Sequence, residues 1–171
     1  DQRDLHRQLQ RPADQRRCLR DLEARRGPRC PSRRGLRQQL HGRRGRGGPG
    51  GWQILPEPGI GLPRSPEFAP DLAGWRAERL PTPPRNAAIT VVPDWICEVL
   101  SISTRRYDQH TKRPYYASIG VSHLWIVDPE AYLITASALE NGRWVELGVW
   151  SDETDARIPP FDAVAVDVNA W

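Results

Sequence analysis

The stretch "PDWICEVLSISTRRYDQHTKRPYY", residues 93–116, decides how the chain folds. Trp95 to Leu100 are strand formers, interrupted by one carboxylate, Glu98. A strand turns successive side chains to opposite faces. Trp95, Cys97 and Val99 therefore share one face, and Ile96, Glu98 and Leu100 the other. Glu98 stands between two aliphatic residues on its own face. A carboxylate there is costly unless it is paired or bound to a cation. Pairing with an arginine, an exposed strand position and a metal site are the three readings open for it. Fourteen residues on comes Lys112, the only lysine of the chain. It makes either an i,i+4 pair with Asp108, worth about 0.3–0.5 kcal/mol, or a polar site with Glu98.

The same stretch predicts a helix between Asp108 and Ile119, closed by Gly120 at the C′ position. Proline is tolerated only in a first helical turn, so Pro114 puts the start near Asp108 to Thr111. Around this unit lie strand signals. "GWQIL" (51–55) and "EFAPDLAGW" (67–75) precede it, the latter with Pro70 at an edge or a strand start. "HLWIVD" (123–128) follows as a short buried strand. "YLITASAL", the dipeptide Asn141-Gly142 and "RWVELGVW" read as a β-hairpin, since Asn-Gly favours the type I′ turn. "AVAVDV" (163–168) reads as a final strand. The pattern is α/β or α+β with a mixed sheet, and no internal repeat is visible.

Charge divides the chain. Residues 1–50 hold 15 arginines against 5 acids, whereas residues 51–171 hold 10 basic residues against 16 acids. The overall +4 therefore does not by itself argue for nucleic-acid binding. The first fifty residues contain no Val, Ile, Phe, Trp, Tyr or Met, while all seven Trp lie from Trp52 onward. Such a segment offers too little apolar surface to offset chain entropy. Residues 1–46 are expected to be disordered: an Arg-rich tail, or an out-of-frame translation of GC-rich DNA. The chain begins at Asp1 and has no methionine, which points to a fragment or a processed product.

Cys18, Cys30 and Cys97 show neither CxxC spacing nor clustered His, so neither a zinc site nor a disulfide framework is expected. With no apolar run of ~18 residues and no signal-peptide core, the sequence reads as cytoplasmic, with no membrane partner.

Asp71 in "APDLAGW" is a second carboxylate at a strand-like position. Two carboxylates on neighbouring strands can hold one Mg²⁺, with water and a phosphate oxygen in the remaining positions. Such an ion stabilises the charge that builds on a phosphodiester, and a lysine nearby adds to that.

"PDLAGW", "PDWICEVLS", "RRYDQHTKRPYYASIGV" and "HLWIVDPE", in that order, resemble the Uma-two endonuclease-like family of the PD-(D/E)XK nuclease superfamily. The resemblance covers about residues 47–171, including "GRGGPGGWQILPEP" and "PPFDAVAVDV". It implies a restriction-endonuclease-like fold, a mixed sheet flanked by helices with the site at its open edge. It implies Asp71 and Glu98 as metal carboxylates, the carbonyl of Val99 as a third ligand, and Mg²⁺ or Mn²⁺ as cofactor. The superfamily's strand lysine falls on Leu100 here. In this family a helix lysine is thought to take its place, and that maps to Lys112. Ser101 and Tyr116 are candidate substrate contacts. The implied activity is metal-dependent hydrolysis of DNA, with DNA and a second copy of the chain as partners. The alternative is a non-catalytic or decayed nuclease-fold protein that binds nucleic acid. Residues 47–171 are expected to form the domain, lacking the helix and hairpin that relatives carry upstream.

Overall fold

Alternation along Trp95–Val99 emerges as two separate cores on the two faces of one sheet. The computed structural model describes Gly35, Leu36, Gln39, Leu40 and residues 51–62, 68–84 and 88–168. The chain divides into two compact units, Asp1–Cys30 and Pro31–Trp171, and every described residue belongs to the second.

Six strands form the sheet: β1 (Trp52–Pro56), β2 (Leu72–Arg76), β3 (Trp95–Val99), β4 (His123–Asp128), β5 (Leu133–Glu140) and β6 (Arg143–Trp150). Their order across the sheet is their order in the chain. All neighbours pair antiparallel except β3 and β4, which are parallel, with Trp95 opposite His123 and Val99 opposite Val127. A parallel pair needs a crossover, and residues 100–122 supply it. The fold is the expected mixed α/β sheet with a flanking helix.

The first core lies on the face of Trp95, Cys97, Trp125, Val127 and Ile134. Phe161 packs among three tryptophans there, with ring centroids 4.9, 5.0 and 5.5 Å from Trp52, Trp95 and Trp125. Gly74 sits in the middle of β2 because a Cβ would come within 3.1 Å of the Trp95 ring and 3.2 Å of the Trp52 ring. The segment expected as a final strand, 163–168, is irregular. It makes one isolated bridge, Ala156 to Val166, and lays Val166 and Val168 face-on against the first core. Its apolar alternation serves to cover a sheet face, not to extend an edge.

Leu36 and Leu40 are buried in this same core. They stand at i and i+4, in residues that are helical. Gln39 exchanges hydrogen bonds with the Asp167 backbone, at 2.7 Å to its N–H and 3.3 Å to its carbonyl. At these positions the expectation that residues 1–46 stand outside the fold is corrected. Two leucines at i and i+4 supply apolar surface to the core at these positions, even in an arginine-rich texture. The other residues of 1–46 lie outside the described ones.

The second core holds Ile60, Trp75, Ile96, Tyr116, Val121 and Leu124, and the crossover helix covers it. That helix begins at Arg105, three residues before the expected start. Its first turn, α1 (Arg105–Tyr107), passes into a π-helical stretch, Asp108–Lys112, and continues as α2 (Arg113–Ser118). The Arg113 N–H reaches back five residues to the Asp108 carbonyl. Pro114 follows at once, so the widened turn absorbs a proline that would break a regular α-helix. At the other end, Gly120 has φ +82°. Its N–H bonds the Ala117 carbonyl, and that of Val121 the Tyr116 carbonyl, both at 3.1 Å. This is the Schellman arrangement expected of a C′ glycine.

Candidate functional site

β3, the residue before β2 and the helix bring five ionisable side chains together on the side of the second core. Glu98, near the end of β3, faces the helix as the alternation requires. Asp71 lies one residue before β2 rather than within a strand, since Pro70 lacks the N–H that a longer ladder would use. Continuing the pairing of Leu72 with Cys97 by one residue puts Asp71 opposite Glu98. Opposed residues of an antiparallel pair share a face, so the two carboxylates stand side by side.

The helix presents Asp108, Lys112 and Tyr116 at i, i+4 and i+8. All are buried: Asp71 is 3 % exposed, Glu98 1 %, Asp108 2 %, Lys112 6 % and Tyr116 0 %. Lys112 Nζ lies 3.0 Å from both Glu98 oxygens and donates to each. The same ammonium is 3.1 Å from Asp108 Oδ1, an ion pair whose angle is not that of a hydrogen bond. The Tyr116 hydroxyl donates to Glu98 Oε1 at 2.6 Å. Asp71 Oδ2 accepts the Val99 N–H at 2.6 Å. In an extended strand a residue's N–H and C=O leave on the same side, so the Val99 carbonyl is directed toward Asp71's side of β3.

The electrostatics follow from burial and from the one ammonium that Glu98 and Asp108 share. Burial pushes the Glu98 carboxyl up to about 8; Asp71 and Asp108 add to this, while Lys112 and the Tyr116 hydroxyl oppose it. Burial works against the Lys112 charge, but Glu98 and Asp108 more than offset it and hold the ammonium above its ordinary value. Burial, then Glu98, raises the Tyr116 hydroxyl, which stays protonated and a donor. Among the described residues, one ammonium serves both Glu98 and Asp108.

Both pairings weighed for Lys112 are therefore present at once. Tyr116, expected as a substrate contact, has its hydroxyl on Glu98 inside the core. Ser101 organises the turn after β3: its hydroxyl accepts the Thr104 N–H at 3.2 Å and lies 2.8 Å from the Thr104 hydroxyl. Asp108 was legible only as a helix-pair partner. Its spacing of four from Lys112 was the signal, but nothing in the sequence said that the pair would be buried. Among the described residues, no group of three or more His, Cys, Asp or Glu side chains is arranged to hold a metal ion. A cation here would rest on Asp71, Glu98 and the Val99 carbonyl, with water completing the shell.

Residues 34–169 match the family described as "Uma2: Putative restriction endonuclease". Among solved structures, the chain resembles a protein from Anabaena variabilis described as a putative nuclease belonging to DUF820. The identity is 19 % and the TM-score 0.52, over 69 % of this chain and 66 % of that one, a likeness of fold. The chain thus spans about two thirds of that protein's length. No curated protein matches it. Among the described residues, no helix is long and apolar enough to cross a membrane.

Proposed function

The chain belongs to the Uma2 family, and from that premise we propose that it hydrolyses DNA phosphodiester bonds as a metal-dependent endonuclease. The observation that carries the reading is Lys112, reaching from the helix onto both oxygens of the strand carboxylate Glu98. Asp71 stands opposite. Two carboxylates, one on β3 and one just before β2, stand with one ammonium at the end of the sheet, which supports the reading.

The donors suit Mg²⁺ or Mn²⁺, which take hard oxygen ligands and keep several waters. Buried carboxylates sharing one ammonium also favour added positive charge. Asp71, Glu98 and the Val99 carbonyl would hold the ion. When bound, it supplies charge stabilisation to the phosphodiester and acidifies water. The chain's own residues do the rest. Asp108 keeps hold of Lys112 when Glu98 gives its charge to the cation. The ammonium, fixed on the helix and held charged, then faces the phosphate. Tyr116 fixes the Glu98 rotamer through Oε1.

The competing reading is a non-catalytic member of the fold. In its favour, Lys112 already occupies both Glu98 oxygens. Titration calorimetry and plasmid nicking separate the two. Mg²⁺ or Mn²⁺ should bind the wild type, Glu98→Ala should abolish that binding, and nicking should require both the metal and Glu98. Undiminished metal binding by Glu98→Ala would reject the assignment. Metal binding without cleavage of any DNA would favour the non-catalytic reading.

A further inference from the structure

The strand directions gather several segments at one end of the sheet. β3 ends there, β2 begins there, and the parallel strand β4 ends there at Asp128, opposite the start of β5 at Leu133. The loop after β3, the first helical turn and the β4–β5 turn all leave from this end. It is also the end that carries Glu98 and Asp71.

Three large apolar side chains are exposed on those segments. Ile102, in the loop after β3, is 81 % exposed. Tyr107, in α1, and Tyr132, in the β4–β5 turn, are 40 % and 46 % exposed. Among the described residues, the other exposed large apolar ones, Val145, Leu147 and Val149, all lie on the edge strand β6. Tyr132 also has φ +53°, a conformation that bulky residues rarely adopt. Its ring gains little from burial there, so packing does not account for a tyrosine at that place.

The charges at this end are arranged unevenly. Arg105 pairs bidentately with Asp128, at 2.7 and 3.1 Å, and reaches Glu130 at 3.4 Å. That pair ties the helix to the β4–β5 turn and engages the acids of the turn. Arg106, next to Tyr107, is exposed and has no ion pair among the described residues. The segments at this end, which also carries Glu98, thus present two aromatic rings, one aliphatic tip and a guanidinium with no ion pair among the described residues.

We propose that these side chains form a rim that binds nucleic acid with unpaired bases, which stack on Tyr107 and Tyr132 while Arg106 takes a phosphate. Aromatic rings offer every base a stacking surface, independent of sequence. Ile102 can wedge against a base step in the way apolar side chains do in kinked or opened nucleic acid. The free guanidinium favours a polyanion over an apolar protein face. This inference rests on the nucleic-acid substrate proposed above and narrows it to single-stranded or locally opened regions.

Fluorescence anisotropy on the full chain, in metal-free buffer, tests it with a labelled oligothymidylate and a labelled blunt-ended duplex. The single strand should bind more tightly. Tyr107→Ala and Tyr132→Ala should each weaken single-strand binding roughly tenfold and leave the duplex little changed. Arg106→Ala should reduce the salt slope of single-strand binding by about 0.7. Both rings are exposed, so thermal melts should show the variants folded like the wild type. Equal affinity for the two probes, or tyrosine variants that bind as the wild type does, would overturn the proposal. So would variants that change only self-association in light scattering. If no DNA is cleaved but single-strand binding still depends on both tyrosines, the rim stands and the nuclease reading falls. If duplex is cleaved and both variants bind and cleave as the wild type, the nuclease reading stands and the rim falls.

Discussion

Replacing Glu98 with Gln, and following stability against pH in metal-free buffer, tests the central electrostatic claim. The Glu98 carboxyl is raised from the ordinary 4.5 to about 8, by burial first and then by Asp71 and Asp108, against Lys112 and Tyr116. Between those two values the folded chain holds a proton that the unfolded chain has released. Stability from this group is therefore greatest below the unfolded value and falls as pH rises toward about 8. Lys112 adds no slope in that window. Its pKa is raised above the ordinary 10.5, so its contribution is present throughout. One pH unit of differential protonation is worth about 1.4 kcal/mol, which puts the span of this group on the order of 5 kcal/mol. Gln cannot titrate, so the variant lacks the slope. Urea denaturation, followed by tryptophan fluorescence at several values between about pH 5 and pH 8.5, gives the difference between the two proteins. Wild type should lose about 1.4 kcal/mol per unit relative to Glu98→Gln in the middle of that range. Saturating Mg²⁺ should flatten the wild-type curve, because an ion held by Glu98 displaces the proton. Parallel curves in metal-free buffer would refute the reasoning. A wild type that gains on the variant as pH rises toward 4.5, with parallel curves above it, would mean that Lys112 outweighs burial.

Two further substitutions test the packing. Lys112→Ala leaves Glu98 and Asp108 buried without their shared cation, and should cost about 3–5 kcal/mol near pH 8 and less near pH 5, where Glu98 is protonated; urea melts at the two values check this. Leu40→Ala removes a buried side chain from the first core and should cost about 2–5 kcal/mol; a change under about 0.5 kcal/mol in the same assay would show that the residue does not anchor the fold.

Much of the architecture is local in origin, which is why the chain alone states it. Period-two alternation in Trp95–Leu100 determines which side chains share a face and puts Glu98 on the helix side. Asn141-Gly142 sets the β5–β6 turn, and Gly120 closes the helix, because both conformations depend on a few adjacent residues. Other features depend on partners far along the chain. The helix begins at Arg105 because a π turn accommodates Pro114, and hydrophobic spacing does not encode that turn. Residues 163–168 alternate like a strand, yet they cover a face, because the available apolar surface was the sheet's face. Leu36 and Leu40 are two leucines in an arginine-rich stretch, and only the waiting core gives their spacing meaning. In the site, the family resemblance joined Asp71, Glu98 and Lys112, whereas spacing by itself favoured an i,i+4 pair of Lys112 with Asp108. Tertiary structure buried that pair and turned the ammonium onto Glu98. The reason is physical: charge in water is cheap and says little about partners, whereas charge inside a core must be matched, and the match is made across the fold.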